Sequence, residues 1–251
     1  MPKIAHFIFT RYNVGLYDDW RKASDRRRAN VKRRHRRIGS PERWMKQRFV
    51  LFRRFCAPSI QYQLNKDFFW VLAMDSRTPA ADIKAIVAAA KCPVRLVMTA
   101  FRAARGGHGV DYKAAIKTIV AETATKYSHL LTSRVDNDDA VREDFVQLLQ
   151  DACYRNTKPR TLDFRTFFRM EANSGVTKQL SARQASPFVS YLEPWRDKLT
   201  TVMCRSHNIW TVDEFVGDQC CIAVCHERNV TNAMPSRGVL ASLPKGFHFH
   251  D

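Results

Sequence analysis

Phe68-Phe69-Trp70-Val71-Leu72-Ala73-Met74 runs through seven apolar residues without interruption and stops at Asp75. A stretch that short and that uniformly apolar reads as a strand covered on both faces, which belongs inside a parallel sheet. Ile4-Ala5-His6-Phe7-Ile8-Phe9 and Val94-Arg95-Leu96-Val97-Met98 are further strand candidates, and helical spacing separates them. Phe49, Phe52 and Phe55 or Cys56 mark a helix over 44–63; Thr78-Pro79 offers an N-cap and first-turn pair for an Ala-rich helix ending at Ala90. A loop over 102–109, centred on Gly106-Gly107, leads to a helix over 112–123 and then to the apolar run His129-Leu130-Leu131-Thr132-Ser133-Arg134-Val135. This alternation predicts an α/β fold with a mixed, mostly parallel sheet flanked by helices, and ligands bound beyond the carboxyl ends of the strands.

The rhythm breaks in the second half. Leu162, Phe164, Phe168 and Met170 are expected to point one way along a strand over 161–170, with a short strand near Gln179 completing a hairpin. Residues 201–204 and 221–225 are further expected strands, and Ser186-Pro187-Phe188 and Glu193-Pro194-Trp195 read as irregular, pocket-forming segments. With no internal repeat and no clear boundary after residue 54, one domain over 1–251 is expected, carrying a basic arm at about 21–43.

That arm concentrates the charge. Of the formal +18, residues 21–54 carry fifteen Lys/Arg against Asp25 and Glu42, a net of +13. Anionic membrane lipid, nucleic acid and an acidic glycan or lipid-linked acceptor compete as its partner. Trp20 and Trp44 stand only at its flanks, so the base-stacking aromatics of single-strand binders are missing and nucleic acid is disfavoured. No apolar run approaches the roughly 18 residues of a membrane-spanning helix, and the start at Met1-Pro2-Lys3 runs straight into a strand pattern. Seven cysteines, an odd number set mostly in apolar stretches, fit reduced thiols. The expected location is cytoplasmic, with peripheral contact at the inner face of a membrane.

Asp136-Asn137-Asp138-Asp139 ends the run begun at His129. Strand alternation would put Asp136 and Asp138 on one side, where two hard oxygen donors suit Mn²⁺ or Mg²⁺ with positions left for a substrate phosphate. Asp139 could instead cap the next helix. A metal-dependent enzyme acting on nucleic acid, or a non-catalytic protein binding anionic surfaces through its arm, would share some of these features.

Several pieces in one order resemble a bacterial family described as putative rhamnosyltransferases, which look like GT-A glycosyltransferases. They are His6-Phe7-Ile8-Phe9-Thr10-Arg11-Tyr12-Asn13; Arg48-Phe49-Val50-Leu51-Phe52-Arg53-Arg54-Phe55-Cys56-Ala57-Pro58-Ser59; Phe68-Phe69-Trp70 with Asp75 and Thr78-Pro79; Ser133-Arg134-Val135-Asp136-Asn137-Asp138-Asp139-Ala140; Ser186-Pro187-Phe188 with Glu193-Pro194; and His226 with Asn229-Val230-Thr231-Asn232. The segment 21–43 is richer in Arg than the family pattern. The resemblance implies a GT-A-like, Rossmann-like fold and transfer of a sugar from a nucleoside-diphosphate donor to a glycan or lipid-linked acceptor. It makes Asp138 the leading metal ligand, Asp136 a ligand or ribose contact, and His226 a third ligand. Thr10, Arg11 and Asn13, just past the first strand, are expected to bind base or phosphate, Asp75 the base or ribose, and Arg134 a phosphate. Glu193, Asp213, Glu214 and Asp218 are the candidates for a general base, Glu193 first and Asp218 second.

Overall fold

β1 (Ile4–Arg11) and β2 (Phe69–Asp75) alternate their side chains between two separate cores, as strands buried on both faces must. Ile4, Ile8, Trp70, Leu72 and Met74 enter one core; Phe7, Phe9, Val71 and Ala73 enter the other. The computed structural model of the protein describes residues 2–17, 40–99, 118, 126–182, 184–196, 199–204, 209–226 and 234–250. Most of the arm, the Gly106-Gly107 loop and most of the helix expected over 112–123 lie outside them.

Helix α1 (Pro41–Leu51) continues through a wider π-helical turn, Phe52–Cys56, into α2 (Ala57–Gln61). Next come α3 (Ala80–Ala90), β3 (Val94–Thr99), β4 (His129–Arg134), β5 (Ala140–Val141) and α4 (Phe145–Arg155). The second half adds β6 (Arg160–Phe164), β7 (Thr166–Glu171), β8 (Thr177–Ser181), β9 (Ser190–Pro194), β10 (Glu214–Gly217), β11 (Cys221–Cys225) and β12 (Val239–Leu240). A seven-stranded sheet has the order β10-β6-β9-β4-β1-β2-β3, with β1 parallel to both β2 and β4, β2 parallel to β3, and β9 antiparallel to its neighbours. A second sheet, β12-β8-β7-β11-β5, packs a smaller core of Leu51, Phe55, Phe168, Ile222 and Val224. The expected mixed, mostly parallel α/β architecture is therefore present in the seven-stranded sheet, while the second sheet is mostly antiparallel. Among the described residues no helix is long and apolar enough to cross a membrane.

Four local expectations change. The strand expected over 161–170 is two strands in different sheets, split at Arg165, whose N–H donates to the Gly217 carbonyl. Leu162 and Phe164 consequently pack in the large core, while Phe168 and Met170 pack beneath the second sheet. Residues 202–204 form a short 3₁₀ turn, because the Thr200 and Thr201 amides are spent on the Glu193 carboxylate and that of Val202 on Thr132 Oγ1. Glu193-Pro194 lies within β9 rather than in an irregular pocket segment. Thr78 does not cap α3: its hydroxyl donates to the Asp75 carbonyl at 2.6 Å and accepts from Asn13 at 2.8 Å.

Candidate functional site

Strand order reverses between β1 and β4: the chain proceeds β1-β2-β3 to one side and returns with β4 on the other. At such a switch point the loops leaving the carboxyl ends diverge and open a crevice. Arg11 ends β1 and Arg134 ends β4, and their guanidinium groups converge on Asp136 at 3.3 and 3.2 Å. Burial alone would raise the Asp136 pKa, but Arg11 and Arg134 outweigh it and hold the carboxyl well below its usual range. About a third of both the Asp136 and the Arg11 side chains reaches solvent.

The acid motif is a turn, not a strand end with alternating faces. β4 stops at Arg134, and the Asp139 N–H donates to the Asp136 carbonyl at 3.1 Å. Each side chain therefore takes its own direction. Asn137 ties the turn to the end of β1, donating to the Tyr12 carbonyl at 2.7 Å. Asp139 accepts from the Val224 N–H at 2.9 Å, which anchors the turn to β11 and replaces the expected helix cap. Burial, then Asp138 and Asp136, push its pKa well above the usual range. Asp138 turns inward, its side chain 8% exposed, between Arg48 and His226. Burial again opposes its charge, and Arg48 and His226 more than offset that.

Arg48 has the clearest role in the site that sequence reasoning missed. It lies on the inward stripe of α1 with Trp44, Met45 and Leu51, where an arginine must find partners or be excluded. Its guanidinium contacts Asp138, donates to Asn137 Oδ1 at 3.1 Å and sits 5.2 Å from the centroid of the Trp44 ring. An arginine at helical spacing with three large apolar residues was the available signal.

Three other expected ligands are engaged in hydrogen bonds within the protein. Thr10 is fully buried, its hydroxyl accepting from Trp70 Nε1 at 3.0 Å. Asn13 pins the ends of β1 and β2 together, donating to Thr78 and accepting from the Asp75 N–H at 3.0 Å. Asp75 is gripped by Arg77 through Nε and Nη2 at 2.8 and 2.7 Å. Although burial raises its pKa, those bonds leave the carboxyl below its ordinary value.

Neither leading base candidate is near the acid turn. Glu193 is 2% exposed, accepts from the Thr200 and Thr201 amides, and pairs in register with Leu130, toward the amino end of β4. Asp218 accepts from Thr166 before the first residue of β11, whereas His226 follows its last, a separation of about 16 Å along five strand residues. Asp213 accepts from the Thr161 N–H, and Glu214 pairs with Arg155 and Arg160.

Among the described residues, no group of three or more His, Cys, Asp or Glu forms a cation cage. Asp138 Oδ2 and His226 Nε2 lie 3.0 Å apart, the separation of adjacent ligands around a hard cation at about 2.1 Å. The same Oδ2 is also met by Arg48, so an ion received there would have to displace that guanidinium. Asp136, expected as a further ligand, is committed to Arg11 and Arg134.

A sequence profile of the family described as putative rhamnosyl transferase matches residues 22–238. No curated protein matches the chain. A crystal structure of a putative nucleotide-diphospho-sugar transferase from Desulfovibrio desulfuricans is similar at 12% identity and a TM-score of 0.34, over 77% of this chain and 64% of that one. S. aureus TarS 1–349 is similar at 12% identity and a TM-score of 0.40, over 88% of this chain and 60% of that one. The chain thus spans about three fifths of the length of these solved chains.

Proposed function

Since the chain belongs to the family of putative rhamnosyl transferases, we propose that it moves a sugar, rhamnose by the family's description, from a nucleoside-diphosphate donor to a hydroxyl of a glycan or lipid-linked acceptor. The observation that carries this reading is the meeting of Arg11, Arg134 and Arg48 with Asp136, Asp138 and His226 at the switch point of the sheet. In the reaction the anomeric C–O bond to the diphosphate breaks with its electrons going to the phosphate oxygen. A new C–O bond forms to the acceptor hydroxyl, and nucleoside diphosphate and one proton are released.

Arg11 and Arg134 present planar guanidinium groups that can trade Asp136 for diphosphate oxygens, a bidentate match. Asp138 and His226 would hold Mn²⁺ or Mg²⁺, which when bound offsets the charge developing on the leaving diphosphate. Arg48 and Asn137 keep Asp138 oriented while the donor is absent. The Arg-rich residues 21–37 would meet an anionic membrane carrying the acceptor, an attraction on the order of 1 kcal/mol per basic residue close to the surface. Binding to neutral vesicles as strong as to anionic ones would refute that last step.

The direct test is incubation of the purified chain with a panel of nucleotide sugars and Mn²⁺, following slow donor hydrolysis. One or a few donors should be cleaved, and Asp138→Asn should abolish the cleavage. Hydrolysis of none, or hydrolysis that survives Asp138→Asn unchanged, contradicts the proposal.

A further inference from the structure

A cleft of about 370 Å³ adjoins the site, with His226 in its lining. One wall is the α1 stripe Gln47, Val50 and Leu51, extended by Arg54; the other is Ala172 and Asn173, which follow β7. His226 lines the cleft while its Nε2 meets Asp138, so whatever fills the cleft lies beside the reacting end of the site. The volume falls at the lower end of small-molecule sites, about 300–1,000 Å³.

Arg54 spans this cleft. Its Nη1 donates to the Ala172 carbonyl at 3.1 Å, and its guanidinium sits 5.0 Å from the centroid of the Phe55 ring. A guanidinium held from two sides has lost most of its rotamer freedom already, and its remaining N–H groups can meet an oxyanion in a planar fork. Among the described residues no carboxylate lines the cleft; the nearby Glu171 accepts from the Asn173 and Ser174 amides. Along α1 and the turn after it, Arg43, Lys46, Arg53 and Arg54 are exposed against a single exposed carboxylate, Glu42. Val50, 55% exposed, adds an apolar surface of the kind the C–H face of a sugar ring covers.

We propose that this cleft is the acceptor subsite and that the acceptor is an anionic saccharide, its carboxylate or phosphate held by Arg54 and its chain continuing over the basic stripe of α1. The inference rests on the transferase reading above, but its chemistry is set by the cleft itself. The test titrates the purified chain, at about 0.1 M salt to limit diffuse attraction, with trigalacturonate and with the neutral maltotriose, by calorimetry or saturation-transfer NMR. The acidic trisaccharide should bind at least about tenfold more tightly, the usual difference one well-formed charge-assisted contact makes. Arg54→Glu and Asn173→Trp, the second filling the cleft without touching its charge, should each weaken it by a similar factor. Equal affinity for the two sugars, or acidic-sugar binding unchanged in both variants, would overturn the proposal, as would binding to anionic vesicles with none to trigalacturonate. Stabilisation of the same proteins by a nucleoside diphosphate with Mn²⁺ reports on the donor site separately. It should be unchanged in both variants, and its loss in them would overturn the separation of the two subsites.

Discussion

Replacing Arg48 by methionine removes the guanidinium that, among the described residues, contacts Asp138, while keeping a side chain of similar reach against Trp44. The pair is nearly dry, its side chains 11% and 8% exposed. Removing one partner leaves a buried carboxylate with His226 as its remaining partner among the described residues, and breaking buried pairs of this kind costs about 3–5 kcal/mol. For a chain of this size that lowers the melting temperature by roughly 10 °C. Adding Asp138→Asn to the same chain removes the stranded charge, so the double variant should recover about 2 kcal/mol or more relative to the sum of the single changes. Mn²⁺ offers Asp138 a new partner, so at saturating concentration it should stabilise Arg48→Met more than the parent protein. Urea unfolding followed by circular dichroism, with and without Mn²⁺, measures each quantity. A cost below about 1 kcal/mol, or additive single and double changes, would refute the assignment of Arg48 as the counter-charge that Asp138 requires.

Burial lowers the His6 imidazole pKa to about 3, while an unfolded chain takes up a proton near pH 6.5. Its contribution to stability is complete above pH 6.5 and shrinks as pH falls toward 3, by about 2 kcal/mol at pH 5. Asp163, pushed up to about 6 by burial against its three hydrogen bonds, acts in the opposite sense and gains stability as pH falls from 6 toward 3.8. Comparing His6→Gln with the parent at pH 7 and pH 5 cancels Asp163; a pH dependence identical in the two proteins would contradict the burial argument. Glu193→Gln should cost about 1–3 kcal/mol through weakened bonds to the Thr200 and Thr201 amides and leave donor hydrolysis near the parent rate. Abolished hydrolysis at unchanged stability would reverse that placement. Asn13→Ala leaves Thr78 and the Asp75 amide short of partners and should destabilise by about 2 kcal/mol, read by urea unfolding; no loss of stability would restore Asn13 as a ligand.

The fold was legible where burial is symmetric. β1 and β2 are largely apolar on both faces, and a two-faced strand has few other places to go. The second half was less legible because apolar spacing does not say which sheet receives a strand. Leu162 and Phe168 keep the same parity, yet Arg165 diverts the chain between them and they serve different cores. The site was legible in its residue types and less so in their roles. Asp138, Asp136, His226, Arg11 and Arg134 do meet at the β1/β4 switch point. Thr10, Asn13 and Asp75 stand at the right strand ends with inward-facing side chains, and a strand end alone does not distinguish a pin from a ligand. Arg48 comes from a helix 88 residues before Asp136, a distance across which a single sequence carries no pairing signal.

The central claim is that Asp138 and His226, backed by Arg11 and Arg134, receive a diphosphate together with a divalent ion. Calorimetric titration with a nucleoside diphosphate, in Mn²⁺ and again in excess chelator, measures it directly. Binding should weaken at least about tenfold in chelator, and His226→Ala should remove that metal dependence while leaving the weaker, arginine-borne binding in place. Affinity equal with and without the metal, or no nucleotide binding at all, contradicts the account.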